Sequence, residues 1–136
     1  MSARFDVAKA EGWLEELRRE LNLETHDQAC TALRAGLHAL RDRLTVEEAA
    51  HLAAQLPLVI RGVFFEGWHP SGKPLRVRTR HDFISLVERE LPPAALFSAE
   101  AVVRAVFGLL RRHLSNGMIA NVEHELPRPI VELLEG

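Results

Sequence analysis

Apolar residues recur along this chain at every third or fourth position, with charged residues between them, and that period predicts helices almost throughout. Trp13, Leu14, Leu17 and Leu21 form one stripe, with Glu15, Glu16, Arg18 and Arg19 on the other faces, so residues 6–21 are expected to be helical. Thr25 and Gln28 stand at the spacing of a capping box, in which the hydroxyl accepts from a first-turn amide while the glutamine reaches back. Leu33, Leu37, Leu40 and Leu44 carry the stripe of the helix that follows, over 26–43. Thr45 with Glu48 repeats the box before a shorter helix to Gln55, and Pro57 suits the first turn of one over 58–66. Further on, Thr79 with Asp82 opens a helix to Leu91, and Ser98 caps a long one over 99–114. Ser115-Asn116-Gly117 breaks that helix and Pro127 starts the last. No run alternates with period two for long enough to make a strand, so the fold class is all-α, with about eight helices.

The pattern also repeats. At an offset of 70, Leu40-Arg41 meets Leu110-Arg111, Arg34-Ala35 meets Arg104-Ala105, Glu20-Leu21 meets Glu90-Leu91, and Leu56-Pro57 meets Leu126-Pro127, without a gap. Leu44 and Ile60 find Leu114 and Ile130 in the same register. An internal duplication is the reading: two four-helix units related by a pseudo-twofold, residues 1–66 and 79–136, joined by a linker over 67–78 within one domain of 136 residues. The longest helix of each unit is expected at the shared centre.

Composition is that of an ordinary globular protein, 47% hydrophobic and 26% charged. The formal charge is −2, which gives the whole molecule no basic field for a nucleic-acid backbone or an anionic membrane. Residues 1–68 sum to −3 and residues 69–136 to +1, a weak asymmetry that suits docking of one half on the other. No stretch reaches the length of a membrane span, and Met1 to Asp6 lacks the apolar run of a secretory leader, so the expected location is the cytoplasm. The one cysteine, Cys30, falls in an apolar helical pattern and reads as a small buried side chain.

The linker GWHPSGKP, 67–74, is dense in Gly and Pro, yet Phe64, Phe65 and Trp68 place three of the eight aromatics within five residues beside it. The run RGVFFEGWHPSGKPLRVRTRHDF, 61–83, with LRAGLHALRDRLTVEEAAHLAAQLP, 33–57, and VVRAVFGLLRRHLSNGMIANVEHELP, 102–127, resembles the bacterial domain-of-unknown-function family 2267. The resemblance spans nearly the whole chain and implies a small all-helical protein. It brings no reaction, cofactor or functional residue with it.

Chemistry is sparse. Seven histidines include no pair at i, i+4 and no HExxH or Cys/His cluster, so no metal site is expected, and the histidines read as partly solvated helix-surface residues. No nucleophile elbow or phosphate loop appears and no tyrosine exists, so no catalytic residues or cofactors are assigned. The local charge cluster is Lys73 to His81, where an extended chain would throw Arg76, Arg78 and Arg80 to one side, or where they would pair with Glu20, Glu24 or Glu66. Arg34, Arg41, Arg104 and Arg111 recur between the halves and read as scaffold, pairing with acids such as Glu20 and Glu90.

The functional expectation is a non-enzymatic protein-interaction module with a protein partner or a second copy of the chain. Its candidate surface comprises Phe64, Phe65, Trp68, His69, Arg76, Arg78 and Arg80, large aromatics with a basic rim. The alternative is a small-ligand or anion-binding regulatory protein with an apolar pocket between the halves. Either Trp68 anchors a partner or it folds back to seal the seam.

Overall fold

Helix α2, His26–Asp42, is buried on almost every side, which its composition permits. Leu33, Leu37 and Leu40 fill the core, while Ala29, Ala32, Ala35, Gly36 and Ala39 are small enough for neighbours to approach on the other faces. The capping box at its start is complete, with Thr25 accepting from the Gln28 amide and the Gln28 side chain returning to the Thr25 amide. The computed structural model describes residues 3–93 and 97–136; Met1 and Ser2, from the stretch read above for a leader, lie outside it. Around α2 pack α1, Ala3–Glu20, then α4, Leu58–Phe65, α5, Arg80–Glu88, and α6, Ala99–His113.

The second central helix is α6, capped by Ser98 and buried through Val102, Val103, Val106, Phe107, Leu109 and Leu110. It meets α2 where Gly36 faces Val106: a Cβ on Gly36 would lie 2.7 Å from Val106 Cγ2. The missing side chain is what lets these two backbones approach. Gly36 and Val106 occupy corresponding positions at the offset of 70 read from the sequence. The two central helices are those expected, but α1, with 18 residues, is longer than α2, with 17.

The remaining helices are α3, Val46–Ala54, α7, Asn116–Glu125, and α8, Arg128–Glu135, which makes eight helices and no strand among the described residues. Prolines 57 and 127 stand at the starts of α4 and α8. At the starts of α3 and α7 the structure departs from the simple box. Thr45 Oγ1 accepts from the Glu48 amide, yet the bond back to the Thr45 amide comes from Glu125, at the end of α7. Ser115 Oγ accepts from Met118, and the bond to its own amide comes from Gln55, at the end of α3. Each of these helices is capped by the tail of the other.

Helix α5 ends at Glu88, short of the expected Leu91, because Pro92 disfavours helical geometry in the residue before it. The chain tightens first into i−3 bonds, from Glu90 N to Val87 O and from Leu91 N to Glu88 O. At the end of α1, Asn22 takes a φ of 55° and Leu23 N bonds Arg18 O at 2.8 Å, a Schellman closure that the sequence did not flag.

Candidate functional site

The segment after α4 is a loop tied to the body at several points. Gly67, φ 65°, lets the chain leave the helix in the left-handed region, and Trp68 N bonds Phe65 O. Farther along, Leu75 N donates to Asp42 O at 2.8 Å, Val77 N donates to Leu75 O at 2.9 Å, and Arg43 Nε donates to Val77 O at 2.7 Å. Val77 packs against the core, so the residues on either side of it are held in place.

Two side chains of α2 secure the loop's root. The His38 ring lies between two acceptors, the Val63 carbonyl 2.7 Å from Nε2 and the Glu90 carboxylate 2.8 Å from Nδ1. It can donate to both at once only with a proton on each nitrogen. Arg41 donates through Nη1 to the carbonyls of Phe64 and Glu66, at 2.9 and 2.7 Å, and through Nε to Asp42 at 2.8 Å. The last carbonyls of α4, which have no partner within the helix, are thereby satisfied by cationic or hydrogen-bonding groups.

The aromatic part of the expected surface needs correction. Phe64 is fully buried and belongs to the core, because it falls on the inward face of α4 beside Ile60. Phe65 and Trp68 are half-buried against that core, their rings 5.2 Å apart, and the Trp68 Nε1 is enclosed without a hydrogen-bond partner. His69 is exposed. The most exposed large apolar side chains sit elsewhere, Leu58 and Val59 at the start of α4 among them. The loop therefore offers half-sunk rings rather than a protruding apolar anchor.

Nor do the three arginines form one row. Leu75, Arg76 and Val77 make a three-residue turn with Arg76 at its apex, and Arg80 already lies in α5, paired with Glu100. Arg76 and Arg78 are exposed and make no hydrogen bond or ion pair to a described residue. Beside them, burial first and Arg78 second push the Arg43 guanidinium below its ordinary value, with Glu125 pulling the other way. Of the recurring arginines, Arg34 pairs with Glu66, Arg104 with Glu100 and Arg111 with Glu123, rather than with Glu20 or Glu90. Glu90 is taken by His38, a buried histidine where a solvated one was expected. Only the mixed polar and apolar setting of α2 could have hinted at it. Cys30 is half-buried rather than enclosed.

A second polar cluster joins α1 to the end of α6. The His113 ring stacks on Trp13 with centroids 4.6 Å apart and its Nε2 lies 2.6 Å from Glu16, which also accepts from Arg112 at 3.0 Å. Burial raises the Glu16 carboxyl, and the bonds from His113 and Arg112 outweigh it, so the net shift is downward. The cluster binds α1 to α6 and leaves no unshared acid and base. Between the halves, the apolar void lined by Gly36, Leu40, Phe83, Val106 and Phe107 measures about 10 Å³, room for at most one water. The apolar ligand pocket expected there is filled by side chains. Among the described residues no three His, Cys, Asp or Glu side chains group as metal ligands, and no helix is long and apolar enough to cross a membrane.

Fold and surface together define an all-helical protein, among its described residues, with a filled core and a tethered basic loop. The chain belongs to the family described as uncharacterized conserved protein DUF2267, whose model matches residues 10–133. No curated protein matches it.

Proposed function

We propose that the protein is a non-enzymatic interaction module of the bacterial cytoplasm, the compartment that keeps a lone thiol such as Cys30 reduced, and that it docks an acidic protein partner on the loop after α4. One observation carries this reading. The loop is fixed by the Leu75–Asp42 and Arg43–Val77 bonds, yet the two arginines it holds outward, Arg76 and Arg78, have no ion pair among the described residues. Arg19, Arg80, Arg112 and Arg128 are each matched to a glutamate, whereas Arg89 is exposed and unpaired among the described residues too, so what sets Arg76 and Arg78 apart is that both sit on one tethered loop. A preorganised loop loses little entropy on binding, which favours affinity from a small contact. The half-buried Phe65 and Trp68 stand at the root of the same loop and add modest apolar area to it.

Native mass spectrometry on protein purified from its own host tests the reading. Wild type should retain a protein partner or a second copy, and R76E/R78E should lose it while its melting curve stays unchanged. A bare monomer from both proteins, or the same complex from both, overturns it.

A further inference from the structure

We infer that Arg43, Arg76 and Arg78 form a binding site for a phosphate monoester, carried on a side chain of the partner. The inference rests on the interaction reading for the source of the phosphate, but not for the site itself. Arg43 is anchored by its Nε to Val77 O at 2.7 Å, which leaves both of its Nη groups without an acceptor among the described residues. The same carbonyl belongs to the residue between Arg76 and Arg78, so one short tether brings the Arg43 guanidinium to the stretch of backbone that carries the other two arginines. Of the acids nearby, Asp42 is paired with Arg41 at 2.8 Å, while Glu125, bonded to the neutral Thr45 hydroxyl at 3.0 Å, keeps its charge and partly offsets that of Arg43. Three guanidinium charges outnumber that one carboxylate, and Arg78 disfavours the charged form of Arg43. An anion placed among them removes that repulsion. Guanidinium forks present paired donors that match phosphate or carboxylate oxygens, and a dianion gains more from three of them than a single carboxylate does.

Arg76 and Arg78 are exposed, so salt screens their share of the binding and titrations need matched ionic strength. The full chain is titrated with inorganic phosphate and with a phosphoserine peptide, while the arginine Nε–Hε resonances are followed by NMR. Saturable shifts are expected at Arg43, Arg76 and Arg78 and not at Arg128, which is paired with Glu132 on α8. R76Q/R78Q should weaken binding roughly tenfold or more with unchanged melting, and the phosphopeptide should bind more tightly than inorganic phosphate. Linear shifts equal to those at Arg128 would overturn the site. A glutamate-bearing peptide that binds as tightly as its phosphorylated counterpart, or a phosphopeptide no tighter than inorganic phosphate, would overturn the assigned ligand. Loss of partner in R76E/R78E without any phosphate saturation would sink this inference and leave the interaction reading standing.

Discussion

Gly36 shows how much a single missing methyl can decide. Alanine there would gain up to about 1 kcal/mol of helix propensity, yet its Cβ would lie 2.7 and 2.9 Å from the Cγ2 and Cβ of Val106. The second of these atoms is fixed to the α6 backbone, so the helices themselves must part. Gly36→Ala should therefore destabilise by about 1–3 kcal/mol, read as a lower thermal midpoint, and adding Val106→Ala should not restore it, because the Cβ at position 106 that meets the new methyl at 2.9 Å stays in place. A Gly36→Ala variant that melts at or above wild type would mean that the helices do not meet there. Little of this was visible in the sequence, where Gly36 stands among alanines and leucines like any small helix residue. His38 and Arg41 were equally hidden, because their acceptors are carbonyls of α4, and backbone groups leave no residue-type signature.

At the scale of elements, most helix boundaries were legible, and of the ends read from the sequence only that of α5 misses by more than one residue. Thr25, Thr45, Thr79 and Ser98 all cap the helices expected of them, since a hydroxyl bonds an amide only three residues away, and Ser115, read only as part of a break, caps α7 in the same way. Ends depend on longer reach, as in the short α5 or the Asn22 closure of α1. The reach is longest at Thr45 and Ser115, where the partners Glu125 and Gln55 lie 80 and 60 residues away in sequence. Truncating Thr45 to alanine should cost about 1 kcal/mol, and a Thr45→Ala, Glu125→Ala double-mutant cycle in urea should show a coupling of about 0.5–1 kcal/mol. Strict additivity would show that the Glu125 carboxylate does not serve the α3 cap in solution. The loop was read correctly as a break between helices, but its charged row was not, because the Arg76 turn and the start of α5 interrupt the extended chain that the row required.

At the scale of the whole molecule, neither half is expected to fold by itself. Each long central helix is buried against the other at Gly36 and Val106, each α3 or α7 cap is completed from across the seam, and Glu16 and Glu90 each pair with cations or histidines of the opposite half. The order of elements recurs, with α4 and α8 starting 70 residues apart. The loop proposed above to dock a partner is anchored to this body, since Leu75 is held by Asp42 of α2 and Val77 by Arg43 at that helix's C-cap. The most direct measurement is to produce residues 1–66 and 79–136 separately and melt each by far-ultraviolet circular dichroism. Neither half alone should show a cooperative transition or its share of the native helicity, whereas the full chain melts in a single step. Two halves that each fold and melt cooperatively in isolation would contradict the account.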